Sequence, residues 1–174
     1  LWRTAGNTGL CNVDEQVNQV LNLALAELHA ERPTRASQYL EEARSLTQSP
    51  ELRTVLWALD IEARLALSSG APERSLALAM RLGETAEATA SIDARWRARI
   101  REAFALRALG RSDDARRAFV QADRLLHERV LAVPVQAGRE SLLASHAWAT
   151  RHHLSLLLDA GEWEQAWQLA RRNH

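Results

Sequence analysis

The sequence predicts an all-α fold of about eight helices, joined in pairs as antiparallel hairpins. Three observations carry that prediction. Apolar residues recur at helical spacing along almost the whole chain, and no run alternates apolar and polar residues as a half-buried strand would. Glycine, proline and short hydroxyl residues fall at the ends of those periodic stretches. A glycine followed five residues later by a small residue also recurs: "GAPERS" from Gly70 to Ser75, "GRSDDA" from Gly110 to Ala115, and "GEWEQA" from Gly161 to Ala166. "AERPTRA", ending at Ala36, is a degenerate fourth copy.

Residues 1–13 are polar and glycine-containing and read as a loose N-terminal segment, so the helical domain spans 14–174. The first helix is expected near 14–30, with Asp14 as N-cap and Val17, Leu21, Ala24 and Leu28 as its buried stripe. A second follows near 34–47. The third is placed at 50–69, with Ser49 as cap, Pro50 at the first helical position and Gly70 as terminator. Pro72 opens the fourth, near 73–88. Ser91 caps the fifth, at 92–109, which Gly110 ends. Ser112 caps the sixth, at 112–131. The seventh, near 136–159, carries the stripe Leu143, Ala147, Thr150, Leu154 and Leu157, and Gly161 separates it from the eighth, at 162–172. Pro134 and Gly138 make residues 127–141 an irregular link, either a lengthened helix or a long loop.

Small residues give the pairs their register. Ala36, Ser75, Ala115 and Ala166 are spaced by 39, 40 and 51. Ala24, Ala63 and Ala103 lie twelve residues before the first three of them, and Leu154 breaks the pattern for the fourth. Ala43, Leu82 and Ala122 lie seven residues after. Two helices of a hairpin approach closely only where side chains are small, and the glycine lets the chain turn between them without a Cβ clash.

Composition narrows the function. The 22 basic and 22 acidic residues give a formal net charge of zero. A chain-wide electrostatic grip on nucleic acid or anionic lipid is therefore not expected, and neither is counted among the partners. Every basic residue is arginine. Arginine suits bidentate recognition of carboxylate or phosphate, but codon bias accounts for the excess first. Cys11 is the sole cysteine, so neither an internal disulfide nor a cysteine zinc site is available, and a single thiol suits the cytoplasm. No apolar run approaches the ~18–20 residues that cross a bilayer, and no signal-peptide pattern is present. The sequence opens on Leu1 rather than Met and reads as a piece of a longer protein.

The stretch "RWRARIREAFALRALGR" tests the nucleic-acid idea directly. Arg95, Arg97, Arg99 and Arg101 fall on the fifth helix. At about 100° per residue, Arg95 and Arg99 share one flank and Arg97 and Arg101 the other. Trp96, Ile100 and Ala103 form the buried stripe between them. The arginine stems are expected to cover that seam with their heads wet, and Glu87, Asp93 and Glu102 stand near as counter-charges. A phosphate-tracking groove would need uncompensated charge.

Other chemistry is sparse. His146 and His153 are seven apart, whereas a helical chelate prefers four, and no carboxylate joins them at ligand spacing, so no metal is expected and the histidines read as surface or half-buried. Nothing resembles a phosphate loop, a nucleophile elbow or a pair of catalytic carboxylates. No cofactor and no enzymatic activity are therefore expected. On the last helix, Trp163 should pack inside its own hairpin, while Trp167 is expected to form an interdomain docking face.

These repeat features resemble the tetratricopeptide repeat. From Ala103 through "FALRALGRSDDARRAFVQADRLL", Ala103, Gly110, Ala115, Phe119 and Ala122 fall on that repeat's small or aromatic signature positions. The resemblance covers roughly residues 17–172 and departs in spacing, because that repeat usually runs about 34 residues. It implies a right-handed α-hairpin solenoid of about four repeats, whose first helices line a concave groove. Carried over by repeat offset, the groove would hold Trp57, Asp60, Arg64 and Leu67, then Arg97, Ile100, Phe104 and Arg107, then Trp148, Arg151, Ser155 and Leu158. Such a groove would suit an acidic or C-terminal-carboxylate peptide. "VPVQAGRESLLASHAWATRHHLSLLLDAGEWEQAWQLARR" further resembles the helical segment upstream of the protease domain in bacterial CHAT proteins. These are caspase-like cysteine proteases with N-terminal tetratricopeptide arrays. That likeness implies a regulatory, non-catalytic interaction module whose partner is a protein, a peptide or a caspase-like domain beyond His174. The alternative expectation is a signal-sensing helical region of a bacterial transcription regulator. Fold by itself does not choose between them.

Overall fold

A computed structural model describes residues 13–134 and 138–172. Among them the chain is all-helical: α1 (Val13–His29), α2 (Pro33–Leu46), α3 (Leu52–Ser68), α4 (Pro72–Ala88), α5 (Ile92–Ala108), α6 (Ser112–Ala132), α7 (Arg139–Asp159) and α8 (Trp163–Arg172). The expected N-terminal segment and Cys11 lie outside the described residues, apart from Val13, which opens α1.

Helix ends follow local chemistry, with corrections at the starts. The Ser91 side chain accepts a hydrogen bond from the Ala94 amide at 3.3 Å, as an N-cap should. The other three expected caps do not act as caps. Asp14 is inside α1, and its Oδ1 instead accepts from the Glu51 amide across the hairpin interface. Ser49 and Pro50 precede α3, whose cap is Glu51, and Ser112 is the first helical residue after the cap Arg111. Pro33 and Pro72 do occupy first-turn positions.

One turn recurs five times. At Gly70, Gly110 and Gly161, φ is +74°, +73° and +75°. After each, the next amide reaches back five residues: Ala71 to Ala66, Arg111 to Leu106 and Glu162 to Leu157, each at 2.9 Å. This is a Schellman closure, which satisfies the last carbonyls of the helix. Glu31 (φ +58°) and Ala90 (φ +52°) take the same left-handed conformation without being glycine, with Arg32 bonding Glu27 and Ser91 bonding Ala86. The turn geometry therefore outlives the glycine that announces it in the sequence.

The small positions are among the most buried in the chain. Ala24, Ala36, Ala63, Ser75, Ala103, Ala115 and Ala122 are all 0% exposed. Ser75 adds a hydrogen bond from its hydroxyl to the Ala63 carbonyl at 2.8 Å, fastening α4 to α3 at their crossing. Trp96, Ile100 and Ala103 are buried as the stripe requires. Each helix packs on the next, and α1 also touches α3, as α3 touches α5. The apolar core is accordingly divided into clusters handed from hairpin to hairpin, the largest joining α5, α6 and α7 around Phe119.

Lengthened helices supply most of the extra length in the 51-residue spacing, and a longer link supplies the rest. Both α6 and α7 have 21 residues, where α3, α4 and α5 have 17. Most of the segment expected to be irregular is thus helical. Gly138, at φ +96°, starts α7, and Arg139 donates to the Val133 and Leu131 carbonyls at 2.5 and 3.3 Å, tying α7 to the end of α6. No described helix is long and apolar enough to cross a membrane.

Candidate functional site

The odd-numbered helices share one side of the molecule, and most of the expected groove residues meet there. Trp57 of α3 and Arg97 of α5 are in direct contact, the guanidinium lying 4.6 Å from the ring centroid. A cation over an indole face gains from the ring's quadrupole. Asp93 holds the same Arg97 at 2.7 Å. Asn18 and Asn22 of α1, Arg53 and Trp57 of α3, and Asp93 and Arg97 of α5 border an open cleft of about 390 Å³.

Further along this side, Phe104 of α5 stacks on Trp148 of α7 at 5.8 Å and meets His152 edge-on at 4.8 Å. Arg107 reaches Ser155 and Asp159 of α7, both at 3.5 Å. Arg151 lies exposed next to His152, and Leu67 is half-buried near the end of α3. Trp57, Arg64, Arg97, Phe104, Arg107 and Trp148 are all half-buried, so each keeps an exposed edge.

Asp60 and Ile100 do not line a groove. Ile100 is a core residue, and Asp60 is 2% exposed. The expectation that Arg101 keeps its head in water also fails. Arg101 is 8% exposed and donates from Nε to Asp60 at 2.6 Å, joining α5 to α3 by a buried ion pair. Its guanidinium also stands 5.8 Å from the Trp148 ring of α7. The other three arginines of that stretch keep the acids expected for them: Arg95 with Glu87 at 3.7 Å, Arg97 with Asp93, and Arg99 with Glu102 at 2.7 Å.

Arg64 completes the cluster. Burial, reinforced by Arg101 and Arg97 and opposed by Asp60, lowers its pKa to about 10. It remains a cation at neutral pH, in a place that penalises the charge. Its Nη2 donates to His29 Nε2 at 2.7 Å. Burial first, then Arg64 and Arg101, lower the pKa of His29. The His29 ring is therefore kept neutral and accepts. His152 is lowered for the same kinds of reason: burial first, then Arg107 and Arg151. Burial first, and the neighbouring arginines second, thus disfavour further protonation on this side, with Asp60, Asp93 and Asp159 as partial counter-charges.

The three histidines of α7 face separate neighbours. His153 is 3% exposed, which corrects its surface or half-buried assignment; its Nδ1 donates to Asp123 at 2.7 Å and its ring stacks on Phe119. His146 donates from Nδ1 to the Leu142 carbonyl and lies edge-on to Trp96 at 4.4 Å. Among the described residues, no group of three His, Cys, Asp or Glu side chains is placed to hold a metal ion.

Trp163 also departs from expectation. It is 69% exposed and Trp167 is 65% exposed, while Ala166 and Leu169 make the buried side of α8. Sequence reasoning missed the Asp60–Arg101 pair, His29, Asn18, Asn22 and Arg53. The 41-residue separation of Asp60 and Arg101 is one repeat plus one, so repeat arithmetic contained that signal. No protein-family model, curated protein or solved structure matches the chain.

Proposed function

We propose that this chain is a non-catalytic protein-interaction module. It binds an acidic peptide segment along the side formed by α1, α3, α5 and α7. The observation that carries the reading is the gathering of Arg64, Arg97, Arg107 and Arg151 with Trp57, Phe104 and Trp148 on that one side. Guanidinium groups beside exposed aromatic edges fit a carboxylate-bearing chain with apolar side chains between its acids. A peptide carboxylate would offset the repulsion from Arg101 and Arg97 that adds to burial in lowering Arg64. The Asn18 and Asn22 amides at the cleft offer donors and acceptors to a peptide backbone.

The small-residue crossings, the recurring turn and the contacts among odd helices support a right-handed α-hairpin solenoid of tetratricopeptide type. Residues 133–172 resemble the helical segment upstream of CHAT protease domains, which supports a place as the regulatory region of such a protease.

The test is fluorescence anisotropy with labelled Glu/Asp-rich peptides that also carry apolar residues, compared with amidated, neutral counterparts. Binding should weaken with ionic strength. Arg97→Glu combined with Arg151→Glu should weaken it at least tenfold. Arg74→Glu with Arg124→Glu, on exposed positions of α4 and α6, should leave it within twofold. Equal loss in both variants would refute the groove.

A further inference from the structure

The junction from α2 to α3 is closed differently from the junction from α4 to α5. A Cβ at Gly83 of α4 would lie 3.7 Å from the Ala98 Cβ of α5, and these two helices pack closely. At the same register one repeat earlier, 39 residues back, α2 carries Arg44 instead of glycine. Arg44 reaches across to Glu62 of α3 at 2.8 Å, and α2 touches α3 far less than α4 touches α5. Small residues let two helices close on each other, whereas a paired arginine spaces them apart.

The space left between the first two hairpins is a cleft of about 390 Å³. It is separate from the cleft beside Trp57: α2 and α4 line only this one, and α1 and α3 give different residues to each. Its walls are apolar, with Leu21 of α1, Leu40 of α2, and Val55 and Leu59 of α3. Leu21, Leu40 and Leu59 are core residues, so the walls are fixed by packing on their far sides. The lining hydroxyl of Thr54 is already bonded to Asn18 at 3.4 Å. Charge is confined to Arg44, Glu62 and Arg81. Arg44 occupies Glu62, while Arg81 of α4 is exposed and pairs with no acid among the described residues. The cleft is therefore an apolar slot with net positive charge along its edge.

We propose that this cleft binds a medium-length alkyl carboxylate. The chain lies along Leu21, Leu40 and Leu59, and the carboxylate meets Arg81 with Arg44 beside it. A guanidinium fork matches a carboxylate in shape as well as charge. Ligand pockets run from about 300 to 1,000 Å³, so this one takes a single flexible chain rather than a folded segment. The proposal does not rest on the peptide groove, whose arginines are different residues.

Isothermal titration calorimetry with octanoate and decanoate, kept below micelle formation, tests this on the whole chain. Decanoate should saturate a single site. Octanoate should bind about tenfold more weakly, because each methylene contributes about three- to fourfold. Decylammonium, with the same chain and the opposite charge, should bind about tenfold more weakly than decanoate or not at all. Arg81→Glu, at an exposed position, should weaken decanoate about tenfold with unchanged helical circular dichroism. Ala58→Phe, which fills the slot, should weaken it as well. Decanoate should also raise the melting temperature, as a ligand of the folded state does. Absence of saturable binding, a lowered melting temperature, or equal binding of decylammonium overturns the proposal. Arg97→Glu with Arg151→Glu should leave decanoate binding within twofold; loss in that variant would move the anion to the peptide groove and overturn the assignment. Peptide binding by Arg81→Glu should be unchanged, which separates failure here from failure of the groove.

Discussion

Asp60 and Arg101 illustrate what one residue's surroundings decide. Each looks like an ordinary surface charge on a helix, yet both are buried and bonded at 2.6 Å. Removing a single partner of such a pair leaves a desolvated charge, whereas replacing both with apolar residues does not. Asp60→Ala should destabilise the protein by about 3–5 kcal/mol, measured by urea denaturation. The double variant Asp60→Leu with Arg101→Met should recover most of that loss. If the single variant loses no more than an exposed pair does, about 1 kcal/mol or less, the pair is not desolvated in solution. The pair also fixes Arg101 beside Trp148, so one buried carboxylate helps align α3, α5 and α7 under the proposed groove.

At the scale of the helix, small residues play two different parts. Ala103 is 0% exposed at a crossing, with no room for a longer side chain. Ala103→Leu should cost about 1–3 kcal/mol through overpacking, while Ala108→Leu, exposed on the same helix, should change little. Gly83 is the opposite case. It sits inside α4, and an added Cβ would meet Ala98 at 3.7 Å, an ordinary contact. Gly83→Ala should therefore raise stability by about 0.5–1 kcal/mol by removing backbone freedom from the unfolded chain. A loss of stability in that variant would mean that α4 and α5 lie closer than the structure shows. Helix starts were harder to place than helix ends. An αL stop is set by local backbone geometry, whereas Asp14 lies inside α1 and accepts from an amide 37 residues distant.

Across the whole molecule, acid should loosen the array. His29 and His152 both have folded-state pKa values below their ordinary value of 6.5. The unfolded chain therefore takes up protons first as pH falls below about 6.5. The stability these residues contribute is complete above that pH and is lost as pH falls toward and through their depressed folded values. Thermal melts should show the transition temperature declining from pH 7.5 to pH 5, and His29→Gln with His152→Gln should flatten part of that slope. An unchanged slope would show that other groups govern the response. Burial is the larger cause of both low pKa values, and the neighbouring arginines, Arg64 and Arg101 for His29 and Arg107 and Arg151 for His152, add to it.

The helices and the buried small positions were legible from residue order alone. The reason is that helical period, glycine turns and small-residue contacts depend on spacing along one or two neighbouring helices. Ala36, Ser75 and Ala115 can be read for that reason, and so can the Trp96–Ile100–Ala103 stripe. Packing between hairpins settled which charges were buried and which aromatics were exposed. Arg101 goes inside because Asp60, one repeat earlier, stands opposite it. Trp163 and Trp167 stay outside because Ala166 and Leu169 already fill the contact with α7. Both outcomes depend on the surface of another hairpin, and a helix's own periodicity carries no record of what faces it.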